Sequence, residues 1–335
     1  MERRVLGTGS GASEVSALGL GCMAMSGMYG PSDRGESIAT IHAALEAGIT
    51  LLDTGDFYGM GHNEMLIGEA LKSSTKRDRA FVSVKFGALR APNGEWLGYD
   101  ARPKAVKNFL AHSLNRLGLD HIDIYRPSRL DPDVPIEETI GAIADMVKAG
   151  YVRQIGLSEM GSETIRRAAK VHPITDLQIE YSLISRDIED DILATCRQLG
   201  IGITAYGVLS RGLISGHWQK TSLQGAGDFR SYAPRFQGEN ADRNLALVEA
   251  LRRFAADKGA SVAQIAIAWV LAQGADIVPL VGARRRDRLA EAIGSLQVTL
   301  SKDELATIER FVPKGAAAGD RYAAAQMAML DSERG

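Results

Sequence analysis

Eight short apolar segments alternate with amphipathic helical segments along the 335 residues, and this alternation predicts an α/β fold, the (β/α)8 or TIM barrel. Most of the apolar segments lack a regular alternation of polar and apolar residues, which is typical of parallel strands covered on both faces. Several helical segments end at a glycine just before the next strand, the usual helix stop. The predicted strands are ALGLGC, ITLLDTG, AFVSVKFG, HIDIYRP, VRQIGLS, DLQIEYS, GITAYGV and DIVPLVGA.

The length and composition indicate one globular domain over residues 1–335, because single α/β barrels reach this size and no linker-like break divides the chain. The net charge of −2 gives no reason to expect a nucleic-acid partner or an anionic membrane. No apolar run reaches transmembrane length and the N-terminus shows no signal segment, so we expect a cytoplasmic protein. The two cysteines form no CxxC and the six histidines have no metal-ligand spacing, so we expect no metal.

The first elements of the chain argue against the alternative α/β fold, an open doubly wound sheet. Residues 1–15 are predicted to form a short hairpin with a glycine-rich turn, and ALGLGCMA at 17–24 then matches the glycine pattern GxGxxA. In a dinucleotide-binding sheet this pattern opens a helix, whose N-terminus meets the pyrophosphate. Here the loop MSGMYGP follows instead, and the first helix is predicted to begin near Asp33 or Arg34.

Two segments are longer than a minimal barrel requires. The long loop, residues 209–240, follows the seventh strand, and the C-terminal tail comprises residues 315–335. Loops of this length in a compact domain are usually functional or disordered. We expect the tail to lie over the barrel mouth, where barrel enzymes carry their active sites.

Three polar residues follow successive predicted strands and form a plausible proton-transfer set. Asp53 and Tyr58 lie in LLDTGDFYGMGHNEM at 51–65, and Lys85 ends the next strand. A tyrosine has a pKa of about 10, and a nearby ammonium group lowers it. Such a tyrosine protonates an alkoxide as hydride reaches a carbonyl carbon. Asp–Lys pairs and tyrosines in turns also have structural roles, so these residues alone leave both interpretations open.

Longer motifs give the chain a resemblance to a known family. They include LGLGCMAMS, GITLLDTGDFYG, VSVKFG, KAGYVRQIGLSE, ITAYGVLSRGLISG and IVPLVGARRRDRLAEAI. From Leu18 to about Leu330 the sequence resembles the aldo-keto reductase superfamily, in particular its bacterial, fungal and plant reductases. The β subunits of voltage-gated potassium channels share the same arrangement of motifs. The resemblance implies a barrel that binds NADPH or NADP+ in extended form at its C-terminal mouth, without a Rossmann fold.

The resemblance also implies catalytic roles. Tyr58 is the expected general acid, Lys85 the group that lowers its pKa, and Asp53 the group that orients Lys85. The family's fourth catalytic position, usually histidine, is Ser128 here, and its hydroxyl carries no proton that titrates near neutrality. The expected substrate contacts are Tyr29, Tyr58, Arg126 and Ser128.

The cofactor contacts that the resemblance implies lie at the ends of the later strands. Ser158 and Gln178 match residues that bind the nicotinamide carboxamide, and Tyr206 matches the aromatic residue that stacks on the nicotinamide ring. Glu159 stands where asparagine is common. Further expected contacts are Cys22, Met23, Asp53, Gly207, Leu209, Arg211 and Gly212.

An arginine-rich helix start follows the eighth strand in the sequence GARRRDR at 282–288. A helix N-terminus offers free N–H donors and a positive dipole end to phosphate, and arginine adds bidentate contacts. A solvated basic helix start is the alternative. We favour a site for the 2′-phosphate of NADPH, formed by Gly282, Arg284 and Arg288, with Glu291 near the adenine.

Three functions are compatible with these features. The first is NADPH-dependent reduction of an aldehyde or ketone, or the reverse oxidation, on a partly hydrophobic small molecule. The second is a slow redox-sensing NADP(H) protein like the channel β subunits, which the serine at position 128 favours. The third is a barrel aldolase or isomerase with Lys85 as a Schiff base, which Asp53 opposes because it keeps that lysine charged.

Overall fold

The computed structural model describes residues 1–222 and 228–334 and contains a closed barrel of eight parallel strands. The eight barrel strands pair in chain order, and the last pairs with the first to close the ring. The predicted fold class is therefore confirmed. The strands are β1 (Arg3–Leu6), β2 (Ser13–Ser16), β3 (Gly19–Gly21), β4 (Leu51–Gly55), β5 (Phe81–Phe86), β6 (Ala88–Arg90), β7 (Trp96–Tyr99), β8 (Ile122–Pro127), β9 (Val152–Ser158), β10 (Asp176–Glu180), β11 (Gly202–Tyr206) and β12 (Ile277–Gly282), of which β3–β5 and β8–β12 form the barrel.

Helices surround the barrel, and local sequence signals set their ends. Asp33 caps the first helix by accepting a hydrogen bond from the backbone N–H of Glu36 at 2.6 Å. Ser261 and Ser301 each form a capping box at the start of a later helix. The helices are α1 (Arg34–Glu46), α2 (His62–Ala70), α3 (Ser74–Arg77), α4 (Pro103–Leu117), α5 (Ile136–Lys148), α6 (Ser162–Val171), α7 (Ile192–Leu199), α8 (Gly238–Asp257), α9 (Val262–Ala272), α10 (Arg286–Gly294), α11 (Lys302–Phe311) and α12 (Ala324–Met327).

The helices pack on the barrel through apolar faces that recur at helical spacing. In α5, for example, Ile136, Ile140 and Ile143 are all buried and are spaced three or four residues apart. In the described part of the chain no single helix is long and apolar enough to cross a membrane; α8 and α9 meet that test only together, as a pair bent by 88°.

The N-terminal hairpin β1–β2 closes one end of the barrel. Its fully buried Leu6 and Val15 cluster with Leu51 and Val278, which lie at the amino ends of β4 and β12. The approach is close, since a Cβ on Gly202 would lie 2.5 Å from a methyl carbon of Leu6. The carboxyl ends of the strands therefore form the open mouth.

Three segments cover parts of this mouth. A second hairpin, β6–β7, follows β5 and was not predicted, although the Asn93-Gly94 pair in its turn is a hairpin signal. The long loop returns toward the first barrel strand, where Asp228 forms a β-bridge with Tyr29; residues 223–227 of this loop lie outside the described residues. The tail crosses the mouth as predicted, and its last residue, Gly335, also lies outside the described part.

Candidate active site

A cavity of about 520 Å³ opens at the carboxyl ends of the barrel strands. Its walls come from the strand ends, the β6–β7 hairpin, the long loop and the C-terminal tail. Most of the residues predicted from the sequence meet here. Those that line the cavity are Met23, Tyr29, Asp53, Tyr58, Lys85, Ser128, Ser158, Gln178, Tyr206, Gly207, Leu209, Arg211, Gly212, Gly282, Arg284, Arg288 and Glu291.

A buried ion pair joins Asp53 of β4 to Lys85 of β5, and these two strands are neighbours in the barrel. Lys85 Nζ lies 2.5 Å from Asp53 Oδ2, and each side chain is only 5% exposed. The other carboxylate oxygen of Asp53 accepts hydrogen bonds from Ser83 Oγ at 2.9 Å and from Gln178 Nε2 at 2.7 Å. Burial lowers the pKa of Lys85, and the charge of Asp53 opposes that shift.

Tyr58 is buried beside this pair, with its ring centroid 5.2 Å from Lys85 Nζ. Among the described residues its hydroxyl has no hydrogen-bond partner. Burial, and then the negative charge of Asp53, raise the pKa of Tyr58 well above its usual value, while Arg129 acts in the opposite direction. In this structure the net shift raises the pKa of Tyr58, with burial as its largest cause, and the expectation that Lys85 lowers this pKa stays a prediction. The raised pKa keeps the phenol protonated.

Two serine hydroxyls in the cavity wall are buried without a hydrogen-bond partner among the described residues. They are Ser128 Oγ, just after β8, and Ser158 Oγ, at the end of β9. A buried hydroxyl without a partner is costly, so both are ready to bind a polar group inside the cavity.

Arg126 was predicted to contact substrate, and this prediction is wrong. Its side chain is fully buried inside the barrel and does not line the cavity. Its Nη2 lies 2.9 Å from Asp176 Oδ2, and Nη1 lies 3.9 Å from Asp53 Oδ1. Gly156 on the neighbouring strand leaves the space, since a Cβ there would lie 2.8 Å from Arg126 Nε.

Cys22 also lies away from the cavity, so its side chain makes no cofactor contact. The thiol is fully buried and donates a weak hydrogen bond to the carbonyl oxygen of Leu20 at 3.7 Å. Burial, with the charge of Asp53, raises the pKa of this thiol, which keeps it protonated and unreactive.

Glu159, predicted as a cofactor contact, does not line the cavity but holds the tail in place. Its carboxylate is fully buried and pairs with Arg321, whose Nη1 lies 2.9 Å from Oε1 and Nη2 2.5 Å from Oε2. It also accepts hydrogen bonds from Tyr206 Oη at 2.6 Å and Ser332 Oγ at 2.8 Å. Burial opposes ionisation of Glu159, but the charges of Arg321 and Arg129, together with hydrogen bonds from Arg321 and Tyr206, lower the pKa of this carboxyl far below its usual range.

The tail also orders the aromatic wall of the cavity. Tyr322 Oη lies 2.8 Å from Tyr206 Oη, and the Tyr322 ring centroid lies 4.4 Å from the guanidinium carbon of Arg211. Neither Arg321 nor Tyr322 was predicted from the sequence. Their partners Glu159 and Tyr206 lie more than a hundred residues away, and no local pattern marks these contacts.

Arg211, predicted to lie at the pyrophosphate, has a left-handed backbone with φ of 56°. Its Nη2 is 3.1 Å from Glu180 Oε2, while its Nη1 is buried without a partner among the described residues. An anchored guanidinium that lines the cavity and has a buried donor without a partner is suited to bind an anion.

Only part of the arginine-rich segment before α10 faces the cavity. Arg284 lines it and donates from Nη1 to the carbonyl oxygens of Tyr29 and Gly30 at 3.2 and 3.1 Å. Arg288 also lines it and pairs with Glu291 at 3.0 Å. Arg285 and Arg286 instead pair with Asp287 and Glu36 at the surface. No group of three or more metal-ligating side chains occurs within the described residues.

A closed (β/α)8 barrel with a buried Asp–Lys pair and a tyrosine at its mouth has the architecture of the barrel enzymes, whose active sites lie at the carboxyl ends of the strands. Residues 17–313 match the model of the Aldo/keto reductase family. The chain belongs to this family and is an oxidoreductase that acts on carbonyl compounds.

Individual relatives agree with this assignment. Probable aldo-keto reductase 1 of Glycine max is 41% identical over 315 residues, which cover 94% of this chain and 90% of that protein. The glycerol dehydrogenase AKR11B4 of Gluconobacter oxydans superposes with a TM-score of 0.83 at 30% identity, covering 92% of this chain and 94% of its own. The aldo-keto reductase AKR11C1 of Bacillus halodurans, in its holo form, gives a TM-score of 0.77 at 26% identity, covering 96% and 99%.

Proposed function

We propose that the protein is an NADPH-dependent reductase of aldehydes or ketones that also catalyses the reverse oxidation of alcohols. The observation that carries this proposal is the buried phenol of Tyr58, which lies beside the buried Asp53–Lys85 pair in the wall of the cavity and whose pKa burial raises. This arrangement is suited to deliver a proton to an oxygen atom at the barrel mouth.

The polar groups of the cavity fit a nicotinamide dinucleotide phosphate. The partnerless hydroxyl of Ser158 and the amide oxygen of Gln178 suit the nicotinamide carboxamide. The free Nη1 of Arg211 suits the pyrophosphate. At the other end, Arg284 and Arg288 suit the 2′-phosphate, and this favours NADPH over NADH.

In this mechanism each residue has a separate task. When bound, NADPH supplies the hydride from nicotinamide C4. Tyr58 donates its proton to the substrate oxygen as negative charge develops there, and Lys85 then stabilises the phenolate. Asp53 holds the lysine in place through the 2.5 Å contact. Ser128 supplies a hydrogen bond to the substrate oxygen, directly or through water.

A slow NADP(H)-binding redox sensor is the second candidate, and Ser128 favours it. Serine lacks the imidazole that most members of the family are expected to have at this position, so the site that would bind the substrate oxygen has one strong hydrogen-bond donor fewer. The complete Asp53, Tyr58 and Lys85 set favours the enzyme instead.

A turnover assay separates the two functions. The purified protein is mixed with NADPH and a panel of aldehydes and ketones, and with NADP+ and alcohols including glycerol, and the nicotinamide absorbance is followed. We expect sustained turnover of at least one carbonyl compound. Tight NADPH binding without turnover of any compound would favour the sensor.

A further inference from the structure

Arg129 lies directly after Ser128 at the end of β8 and lines the cavity beside the proposed catalytic residues. Its one hydrogen bond in the described part of the chain runs from Nη1 to the carbonyl oxygen of Ser128 at 2.6 Å. Guanidinium carries five N–H donors in a planar fork. Most of the donors of Arg129 are therefore available to a group in the cavity.

Three other arginines of the cavity differ from Arg129 because they have carboxylate partners. Arg211 pairs with Glu180 at 3.1 Å, and Arg288 pairs with Glu291 at 3.0 Å. Arg230 likewise pairs with Asp228. No ion pair to Arg129 exists among residues 1–222 and 228–334.

The carboxylate of Glu159 interacts electrostatically with Arg129, but its oxygens already bind other partners. It holds Arg321 at 2.9 Å and accepts from Tyr206 Oη and Ser332 Oγ. Turning it toward Arg129 would leave the buried Arg321 without this partner, which is costly. Burial lowers the pKa of Arg129, but Tyr206, Tyr322 and Glu159 raise it above its usual value, so this side chain is always charged.

The positive charge of Arg129 lies near the proposed catalytic residues. It acts electrostatically on both Tyr58 and Lys85. The neighbouring wall is aromatic, with the Trp96 and Tyr99 ring centroids 5.4 Å apart on the β6–β7 hairpin. Arg284, which also lacks a carboxylate partner in the described residues, lies near α10 at the end we assign to the 2′-phosphate.

We propose that Arg129 binds a carboxylate group of the substrate and so selects aldehydes or ketones that carry one. The planar fork of guanidinium matches the two oxygens of a carboxylate, whereas an ester offers no charge to it. This inference rests on the proposed reductase function and adds the substrate class to it.

The test uses 2-, 3- and 4-formylbenzoate and the methyl ester of each. The three isomers vary the distance between the aldehyde and the carboxylate, while the aromatic ring suits the wall formed by Trp96 and Tyr99. For each pair, kcat/KM is measured with saturating NADPH, and the acid-to-ester ratio is calculated. The ratio cancels effects that a variant has on both substrates, such as altered NADPH binding or an altered Tyr58.

We expect Arg129→Met to lower the acid-to-ester ratio by about tenfold or more for at least one isomer, as for the loss of a charge-assisted hydrogen bond. Arg129→Lys should give an intermediate ratio, because it keeps the charge but not the fork. Arg129→Gln is the second neutral variant if the methionine variant does not fold. The matched control is Arg90→Met, since Arg90 also lines the cavity and stacks on Trp96 at 4.6 Å.

The outcomes separate this inference from the function on which it rests. If the wild type and both neutral variants reduce the esters and all three show the same acid-to-ester ratio of kcat/KM, the role of Arg129 is overturned and the reductase function stays intact. An equal fall of the ratio in Arg90→Met would also overturn it, because the effect would then belong to the general positive potential. If the wild type reduces neither the acids nor the esters nor any other carbonyl compound, both proposals fail.

Discussion

Removal of the Arg321 guanidinium tests whether the C-terminal tail is held by its buried ion pair with Glu159. The side chain of Arg321 is 5% exposed, and that of Glu159 is fully buried. In Arg321→Met the carboxylate keeps its place but loses its counterion, and breaking a buried pair in this way costs about 3–5 kcal/mol. We expect the lower part of this range, because Tyr206 and Ser332 still donate hydrogen bonds to Glu159.

The assay is urea unfolding followed by circular dichroism. Arg334→Met is the matched control, since Arg334 lies in the same tail but is exposed, and surface substitutions usually stay within about 0.5 kcal/mol. The double variant Glu159→Gln/Arg321→Met should recover part of the loss, because it removes the buried charge at position 159 and leaves only the partly exposed Glu333 without its arginine partner. An Arg321→Met protein as stable as Arg334→Met would refute the reasoning.

The stability difference also has a predicted pH dependence. In the wild type, Arg321, with Arg129 and the Tyr206 hydrogen bond, lowers the pKa of Glu159 against the effect of burial, so ionised Glu159 stabilises the protein above the unfolded pKa of about 4.3. This stability is lost as pH falls through the lower folded pKa. In Arg321→Met, burial is opposed only by Arg129 and the Tyr206 hydrogen bond, so we expect the pKa of Glu159 to rise relative to the wild type and protonation at acidic pH to relieve the buried charge. The difference between the two proteins should therefore shrink as pH is lowered.

Three further predictions concern the cavity. Because the pKa of Tyr58 is raised, the rate of carbonyl reduction should stay constant through neutral pH and decline only above about pH 10. A decline that begins near neutral pH would show that another group is the proton donor. The double variant Arg284→Ala/Arg288→Ala should lower the preference for NADPH, measured as the ratio of the NADH to the NADPH dissociation constant, by about tenfold or more. An unchanged ratio would mean that both arginines only face solvent. Ser128→His should raise turnover of small aldehydes and lower that of bulky ketones, and Ser128→Ala should be mild; a Ser128→Ala protein as inactive as Tyr58→Phe would instead assign the serine its own essential chemistry.

The barrel and most of the candidate site could be predicted because their signals are local. Parallel strands buried on both faces appear as short apolar runs, and residues at the ends of adjacent strands must be neighbours. Asp53 and Lys85 follow this rule and meet in an ion pair. The β6–β7 hairpin could also have been found from its Asn-Gly turn.

The rest depends on tertiary placement that no local pattern records. Every residue of β8 is buried, and so is Ser128 directly after it, so burial alone does not distinguish Arg126, which faces the barrel interior, from Ser128, which lines the cavity. Arg321 belongs to an Ala-rich tail and acquires its role only when the tail folds onto Glu159 across 162 positions of sequence. Arg129 differs from Arg211, Arg230 and Arg288 because no carboxylate folded against it within the described residues.

The measurement that tests the central claim most directly is carbonyl reduction by Tyr58→Phe. Phenylalanine keeps the ring that packs edge-on against Phe57 at 4.7 Å and removes only the hydroxyl that donates the proton. We predict a loss in kcat of about 10²–10⁴-fold, with an NADPH dissociation constant close to that of the wild type. Turnover by Tyr58→Phe near the wild-type rate would contradict the assignment of Tyr58 as the proton donor.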